Sequence, residues 1–534
     1  METTPELITF GEIDFTDANL LNRPPYRLRR SPIIVTLPNV NISVVDIQKF
    51  METGMNVARL RTSHITRGDK IKLLGKVDKA AAALCGKHAV LDWPTASCIE
   101  LKTSIVRTGI LQDGESHIFL KEGNPVILTC NLEEYDKCNE KRIFVDIPEL
   151  ITEITVGTEI SIAQDEIIMN CKQIIDENSI KCVISKGGQL KSLYHVSAKG
   201  RKRTRPVVTK KDLQIIKFAL EYQVDMIIIN YVQKVETLKK IKQYIGTRVK
   251  RPLLIAGLCT AEGLENIDDL IVESDGIMFS REFLTYELDR SQKNRMCQLQ
   301  KWVGAKCQKA GKPYYISGGV FKEALSDGIF CNREISDVTN AILDGATGFA
   351  IKASENVEYI LRAIKALNDV CCAVEPLAFT KSSFIRILDE MKMPLNAAEA
   401  SVMACATAAN QTKSRVIVLP TVTGRTARSL LWLKPCCIII AVSERTRTTR
   451  LLSSYRCVVP LLYHAQAHKE YYKAVEARVQ FAIEYAVKKD WLVYGDNYVT
   501  LQKGSESSSF CDTVKIWRVT VSRKALVVCL DDEN

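Results

Sequence analysis

The amino-acid sequence predicts an α/β protein: a (β/α)8 TIM barrel with an inserted all-β lid domain, followed by a C-terminal α/β domain. Eight short, almost wholly apolar runs are mostly separated by amphipathic helical patterns, as is typical of parallel strands buried on both faces. One interval between these runs is far too long for a single helix and contains alternating strand patterns. After the eighth run, a second series of strands and helices begins.

The eight apolar runs are the predicted barrel strands. In the helical pattern before the last run, Ile335, Val338 and Ile342 fall on one helical face. Eight alternations of buried strand and amphipathic helix favour a barrel. The predicted strands are Ile33–Leu37, Asn56–Leu60, His88–Asp92, Val224–Asn230, Pro252–Gly257, Ser274–Phe279, Pro313–Ser317 and Thr347–Ile351.

The long interval follows the predicted third strand and indicates an inserted β-domain. Segments such as SHIFLKEG, PVILTCN and EIIMNC have strand character, and Gly114, Gly123 and Gly157 punctuate them. A catalytic barrel keeps its site at the end that carries this loop, so the insert is predicted to act as a lid.

The last part of the chain predicts a separate α/β domain of ordinary size. Its predicted strands are Val416–Pro420, Cys437–Val442, Cys457–Leu462, Tyr498–Leu501 and Val514–Val519. The predicted boundaries are 1–30 for an N-terminal arm, 31–94 and 206–370 for the barrel, 95–205 for the insert and 371–534 for the C-terminal domain.

Length and composition indicate a multidomain globular protein. The chain has 534 residues, of which 46% are hydrophobic and 25% charged. No apolar run reaches the roughly 20 residues that a membrane helix needs, and the acidic N-terminus lacks the pattern of a signal peptide. We therefore expect a cytoplasmic protein without a membrane contact. The 18 cysteines are scattered without zinc-ligand spacing, which predicts reduced core thiols.

The net charge is +11, and part of it lies in the basic run 199–205, which reads KGRKRTR. Such a run is either a nuclear signal or nucleic-acid patch, or a solvated linker between domains. No aromatic residues interleave with the basic ones, which favours the linker, and we expect no nucleic-acid partner.

Several segments resemble the pyruvate kinase family. MNVARLRTSH at 55–64 is similar to the family's MNVARxNFSHG, and AGKP at 310–313 and SDGIM at 274–278 also occur in the family. SDVTNAILDGA at 336–346 is similar to SDVANAVLDGAD, and TVTGRT at 421–426 to T-x-S-G-R-[ST]. The resemblance covers roughly residues 31 to 520. It implies phosphoryl transfer from phosphoenolpyruvate to ADP, the cofactors Mg²⁺ and K⁺, and assembly as a tetramer.

The resemblance implies that some site residues are retained. Arg59 matches the arginine that contacts the substrate phosphate, and Arg281 matches the arginine of the family's ARGDLG motif. Ser63 and Asp92 match potassium ligands, and His64 matches a histidine on the nucleotide side. For Arg59 and Arg281, an ion pair that holds a strand end is the structural alternative to ligand binding.

The same comparison implies that more positions are lost. The family's KIEN aligns with Gly257 to Thr260, so Gly257 replaces the catalytic lysine and Cys259 replaces a magnesium carboxylate. Phe283 replaces the second magnesium carboxylate, and Gly318 replaces the threonine of proton transfer.

A further loss is expected near the third strand. LDTKGPEIRTG aligns with the segment starting at Leu91, so Trp93, Pro94 and Ile99 would replace a threonine, a lysine and an arginine, while Arg61 would replace a potassium ligand. Magnesium binding is therefore doubtful. Rescue would require Glu282 to act as a ligand and Lys352 to supply charge.

The C-terminal domain keeps a candidate effector site. Thr421, Thr423, Gly424, Arg425 and Thr426 form a loop rich in hydroxyl groups ahead of a helix, which can hold a phosphate. In the family this loop binds an activating sugar bisphosphate, and Arg478 matches another arginine of that site. The alternative is an ordinary helix-capping turn.

Two functions remain open from the sequence. The first is a pyruvate kinase paralogue with lost or strongly reduced activity, a pseudoenzyme retained for regulation or for assembly with family members. The second is an active, divergent pyruvate kinase with a rebuilt metal and phosphate site.

Overall fold

The computed structural model describes residues 28–520 apart from 61–64, 102–105, 147–150, 152–153, 164, 199–207, 248–250, 289, 355, 379–380, 392, 436 and 465–469. The predicted site residues Ser63 and His64, the substituted Arg61, the basic run 199–205 and most of the N-terminal arm lie outside the described residues.

The centre of the molecule is a closed barrel of eight parallel strands, which confirms the predicted fold class. Its strands are β1 (Ile33–Thr36), β2 (Met55–Leu60), β3 (Ala96–Glu100), β12 (Met226–Ile229), β13 (Leu253–Leu258), β14 (Gly276–Ser280), β15 (Tyr314–Ser317) and β16 (Gly348–Ile351). Each strand pairs with its sequence neighbour among these eight, and β16 closes the ring onto β1. The barrel strands are almost entirely buried, which explains their apolar composition.

The third barrel strand is the one that the sequence placed wrongly. The run His88–Asp92 is not a strand: the helix Arg67–His88 occupies its start, and Ala89 ends that helix in the left-handed conformation. The true strand, Ala96–Glu100, carries Ser97 and Glu100 and therefore reads as less apolar. The segment before it has the apolar pattern of a buried strand, but it is not one, and its Leu91 is 55% exposed.

Helices surround the barrel, and several begin at side-chain caps such as the reciprocal bonds of Thr209 and Asp212. The helices of this part are α1 (Val44–Thr53), α2 (Arg67–His88), α3 (Lys210–Glu221), α4 (Val235–Ile245), α5 (Ala261–Glu265), α6 (Ile267–Glu273), α7 (Arg281–Glu287), α8 (Arg290–Lys293), α9 (Met296–Lys309), α10 (Lys322–Asp327), α11 (Asn332–Leu343) and α12 (Val357–Val374).

The insert between β3 and β12 is an all-β domain with its own core, to which Val126, Ile160 and Ile184 contribute. The strands are β4 (Ile118–Leu120), β5 (Pro125–Thr129), β6 (Arg142–Phe144), β7 (Glu159–Ile162), β8 (Ile167–Asp176), β9 (Ser179–Lys186), β10 (Gly188–Leu190) and β11 (Val196–Ala198), with short 3-10 turns at Gln112–Gly114 and Leu132–Glu134. A six-stranded sheet has the order β11-β7-β8-β9-β5-β6, and β10 pairs with β4.

The C-terminal domain is built on a five-stranded sheet, and all five predicted strands are found within one residue of their predicted ends. They are β17 (Val416–Pro420), β18 (Ile438–Ser443), β19 (Val458–Leu462), β20 (Asn497–Gln502) and β21 (Thr513–Arg518). Their order is β19-β18-β17-β20-β21, in which only the edge strand β21 is antiparallel. The helices here are α13 (Lys381–Glu390), α14 (Ala397–Gln411), α15 (Arg425–Trp432), α16 (Thr446–Leu452) and α17 (Tyr471–Lys488), and a 3-10 turn at Glu375–Leu377 precedes them.

The C-terminal domain packs against the amino ends of the barrel strands. Arg450 pairs with the fully buried Asp225 just before β12, and the Tyr315 hydroxyl donates to the Ser454 carbonyl at 2.8 Å. The carboxyl ends of the strands therefore face away from this domain and towards the insert. No helix in the described ranges combines the length and the apolar character that crossing a membrane requires.

Candidate active site at the carboxyl end of the barrel

A cavity of about 700 Å³ lies where the barrel strands end and the inserted domain covers them. Arg59, Glu100 and Asn230 come from the barrel side, and Arg107 and His195 come from the insert. This is the end at which a (β/α)8 barrel carries its active site, and the insert is in the position of a lid.

Arg59 lies in the wall of this cavity and is already paired with neighbouring side chains. Its Nη1 lies 3.0 Å from Glu100 Oε1, and its Nε donates to Thr36 Oγ1 at 2.8 Å. The residue is 8% exposed. Asn230 Nδ2 donates to the second Glu100 oxygen at 3.5 Å. The ion-pair alternative for Arg59 is therefore realised, and an incoming anion has to compete with a carboxylate that is already in place.

A second ion pair crosses the cavity between Lys352 and Glu282. These are the two residues that would have to rescue a metal site, one as a ligand and one as a charge. In this structure each neutralises the other. Glu282 faces an ammonium group rather than an empty coordination position, so the pair argues against the rescue.

The two positions at which the family would hold magnesium carry unsuitable donors. Cys259 is fully buried, and burial raises the pKa of its thiol to about 12, so the sulfur is neutral at physiological pH. Phe283 lines the cavity with its ring centre 5.3 Å from that of Tyr231 and 6.4 Å from that of His195. Magnesium requires oxygen ligands in octahedral geometry, and these residues do not fit it.

The two glycines at family catalytic positions are tightly enclosed. A Cβ atom on Gly257 would lie 2.6 Å from Asn230 Oδ1 and 2.9 Å from Asn230 Cα. Gly318 has φ +78°, and a Cβ atom there would lie 2.8 Å from the backbone nitrogen of Glu282. Neighbouring atoms therefore occupy the space that a side chain at either position would need.

Asp92 is not part of the cavity, and its prediction as a potassium ligand was wrong. It precedes β3 and lies at the amino end of the barrel, where Thr449 Oγ1 of the C-terminal domain donates to its carboxylate at 2.5 Å. The error has the same cause as the misplaced strand, because the family motif was aligned to the apolar segment before β3.

With β3 in its observed place, LDTKGPEIRTG matches a segment eight residues later. Glu100 then takes the place of the aspartate, and Arg107-Thr-Gly109 matches the end of the motif. Both Glu100 and Arg107 line the cavity, and Arg107 Nη1 donates to the Leu193 carbonyl at 2.9 Å. Neither residue was predicted from the sequence, although the RTG triplet was a usable signal. Pro94 and Ile99 therefore do not replace the lysine and arginine.

Arg281 is also absent from the cavity lining. Its guanidinium pairs with Asp337, and its Nε donates to Gln300 Oε1 at 2.8 Å. Both partners belong to helices outside the barrel. These contacts favour the ion-pair alternative for Arg281, and its phosphate contact stays a prediction.

The candidate effector loop is only partly assembled as predicted. Thr421 Oγ1 accepts the Gly424 N–H at 3.0 Å, Thr423 is exposed, and Thr426 Oγ1 donates to Cys511 Sγ at 3.6 Å. Arg478, on α17, pairs with Glu444 at 2.9 Å. Arg425 instead lines a different cavity, which lies between the C-terminal domain and the barrel.

A barrel with a β-domain inserted after its third strand and an α/β domain behind its amino end defines the class of lidded (β/α)8-barrel proteins. Comparison with family models gives the particular family. The model described as "Pyruvate kinase, barrel domain" matches residues 28–358, and "Pyruvate kinase, alpha/beta domain" matches residues 399–517. The chain belongs to the pyruvate kinase family.

Individual relatives are similar over nearly the whole chain. Pyruvate kinase PKLR of Homo sapiens is 25% identical over 502 residues, which cover 94% of this chain and 87% of that protein. Pyruvate kinase 2 of Trypanosoma brucei brucei is 26% identical over 480 residues, with 90% and 93% covered. Pyruvate kinase of Debaryomyces hansenii is 26% identical over 502 residues, with 94% and 98% covered.

Proposed function

We propose that this member of the pyruvate kinase family has lost, or very strongly reduced, its phosphotransferase activity and is retained for regulation or assembly. The observation that carries the proposal is the pairing of charges at the strand ends. Arg59 is bound to Glu100, and Lys352 is bound to Glu282, while Cys259 and Phe283 stand at the metal positions.

Phosphoryl transfer depends on these charges more than most reactions do. The protein contributes little covalent chemistry, and catalysis consists of positioning the phosphates and neutralising their charge. Groups that neutralise one another within the cavity wall are not preorganised for a transferring phosphoryl group. Loss of the lysine at Gly257 removes a further contact that the family resemblance implies.

The test is a coupled assay of pyruvate formation from phosphoenolpyruvate and ADP, with magnesium and with manganese. One preorganised contact is worth about 10²–10³ in rate. With several contacts missing, we expect turnover at least about a thousandfold below an intact pyruvate kinase measured in parallel. A rate within tenfold of that enzyme would overturn the proposal.

The second candidate is an active kinase with a rebuilt site, and the position of Glu100 and Arg107 favours it. Glu100 supplies a carboxylate at the cavity, where the sequence had predicted Asp92. Arg107 supplies an arginine, where the sequence had predicted a loss at Ile99. The variant Arg107→Gln distinguishes the two candidates. If the chain itself turns over substrate, the rate should fall by about 10²-fold or more in this variant, whereas a contaminating kinase would leave it unchanged.

Assembly is the retained role that the surface supports. The edge strand β21 exposes Ile516 (54%) and Trp517 (44%), and an exposed apolar sheet edge favours pairing with another chain. We propose a homo- or hetero-oligomer with family members, a tetramer in the family's manner, located in the cytoplasm. Mass measurement in solution checks this, and Trp517→Lys should lower the assembly state.

We also propose that the C-terminal domain still recognises a phosphorylated sugar. The support is the turn from Thr421 to Gly424 ahead of α15, together with Arg478 on α17, which the family resemblance assigns to the same site. Against it stands the ion pair with Glu444, which an anion must displace. Ligand-dependent stabilisation decides the matter.

A further inference from the structure

A second cavity, of about 640 Å³, lies between the barrel and the C-terminal domain. Lys312 and Gln308 line it from the barrel side, and Arg428, Trp432 and Lys434 line it from the C-terminal domain. It contains none of the strand-end residues of the candidate active site and none of the hydroxyl groups of the loop from Thr421 to Thr423.

The lining carries more positive than negative charge. Its basic residues are Lys309, Lys312, Arg425, Arg428, Lys434 and Arg456, and its acidic residues are Asp275, Glu390 and Glu399.

Two of the three acidic residues are already engaged. Arg251 donates to both oxygens of Asp275, at 2.5 and 2.8 Å. Glu399 accepts the Asn396 N–H at 3.1 Å and so caps α14. Arg251, which lies outside the lining, offsets the charge of Asp275, whereas Glu399 keeps its negative charge because a backbone N–H does not neutralise a carboxylate. The lining still carries an excess of positive charge.

Lys434 is the centre of this excess. Its Nζ donates to Gln308 Oε1 at 2.9 Å, and no carboxylate in the described part of the chain lies within ion-pair distance of it. Burial, with repulsion from Arg456 and Arg386, lowers the pKa of Lys434 to about 7. An anion in the cavity would supply the missing opposite charge.

Lys312 and Arg428 are placed similarly. The Lys312 ammonium donates to the Ser274 carbonyl at 2.6 Å, and burial lowers its pKa. Arg428 contacts the Tyr455 hydroxyl. Carbonyl, amide and hydroxyl oxygens orient these cations without neutralising them, which is the condition of a preformed anion site.

The cavity also has apolar walls, formed by Trp432, Leu395, Leu431 and Pro435. Trp432 packs against the backbone at Gly311, where a Cβ atom would lie 3.0 Å from the indole Cγ. The volume exceeds what a bare phosphate fills, and the apolar side offers a surface to a flat ring.

We propose that this interdomain cavity binds a small aromatic phosphate monoester, with Lys312, Arg428 and Lys434 holding the phosphate and Trp432 contacting the ring. A dianion matches the surplus charge better than a single carboxylate does. Because the site joins the barrel to the C-terminal domain, its occupant would tie the two together. Binding there does not require a catalytically active barrel.

Calorimetric titration with phenyl phosphate tests the proposal, with phenol and inorganic phosphate as separate probes. We expect saturable binding of phenyl phosphate that is tighter than binding of either fragment. Lys434→Gln and Arg428→Gln should each weaken it about tenfold or more, as loss of a charge-assisted hydrogen bond does. The matched control Arg478→Gln, at the candidate effector loop, should leave the affinity unchanged.

Three results would overturn the proposal: no saturable binding to the folded wild-type protein at millimolar phenyl phosphate, equal affinity for inorganic phosphate, or loss of binding in Arg478→Gln with the cavity variants unaffected. Should Lys434→Gln fail to fold, Arg425→Gln takes its place, because this side chain is exposed. It should weaken binding measurably, and unchanged affinity in both Arg425→Gln and Arg428→Gln would refute the assigned site.

Discussion

Returning the family lysine to position 257 should damage the protein instead of restoring its activity. The first atom of any side chain at Gly257 would lie 2.6 Å from Asn230 Oδ1, 2.9 Å from Asn230 Cα and 3.2 Å from the Ile229 carbonyl oxygen. Two of these atoms belong to the backbone of the adjacent strand region, so rotation of the Asn230 side chain alone cannot remove the conflict. Overpacking of this kind costs about 1–3 kcal/mol.

Urea unfolding followed by tryptophan fluorescence measures this cost in Gly257→Ala and Gly257→Lys. Gly75→Ala is the matched control: Gly75 lies inside α2 with nothing within 4 Å of its Cβ position, and the change should be neutral or stabilising by up to about 1 kcal/mol. Adding Asn230→Ala should recover only part of the loss at 257, because the backbone of residues 229 and 230 would still crowd the new side chain. An unchanged unfolding midpoint in Gly257→Ala, or restored pyruvate formation in Gly257→Lys, would refute the reasoning.

Magnesium at millimolar concentration should give no saturable rise in Tm, because Cys259 and Phe283 supply no oxygen ligands; a saturable rise would contradict this. A sugar bisphosphate should raise Tm, and the rise should be smaller in Arg478→Ala or at high salt. Arg362→Ala serves as the control, because Arg362 belongs to an exposed ion pair within one helix. No rise of Tm in the wild type would refute sugar-phosphate binding by the C-terminal domain. Lys434→Gln should be more stable than wild type at pH 7. Between about pH 7 and the ordinary lysine pKa, Lys434 is protonated in the unfolded chain and mostly neutral in the folded one. The free energy of unfolding of the wild type therefore rises with pH across that window. The difference in stability between Lys434→Gln and the wild type should shrink by at most about 1.4 kcal/mol per pH unit. A constant difference between pH 7 and 8.5 would show that Lys434 titrates normally.

The elements that the sequence predicted correctly are those in which burial alone decides the composition. The five strands of the C-terminal domain and seven of the eight barrel strands were predicted near their observed positions because both faces are covered. β3 failed because Ser97 bonds the buried Asp225 and Glu100 pairs with Arg59, so two polar residues interrupt the strand for reasons that lie elsewhere in the chain. Hydrophobic pattern carries no information about such partners.

The candidate site shows the same limit. The sequence alone could show that Gly257 and Phe283 depart from the family motifs, because the residues of each motif are adjacent in the chain. The pairing of Lys352 with Glu282, and the position of Arg107 at the cavity, depend on which strand ends and which lid residues meet in three dimensions. For Arg281 the sequence left two alternatives open, because a retained arginine does not reveal which way its side chain points.

The residues at the carboxyl end of the barrel fit one another closely. Asn230 occupies the space beside Gly257, Glu282 packs against Gly318, and Phe283 packs with Tyr231. Beside Gly257 and Gly318, neighbouring atoms occupy the space that a side chain at either position would need. Single reversions at Gly257 and Gly318 should therefore fail, because the first atom of a side chain at either position would lie under 3.0 Å from neighbouring atoms. The interdomain cavity differs in this respect, since its basic residues retain a surplus charge that neighbouring oxygens orient without cancelling. Ligand recognition is accordingly expected where the charge remains available, between the domains, more than where it has been neutralised at the strand ends.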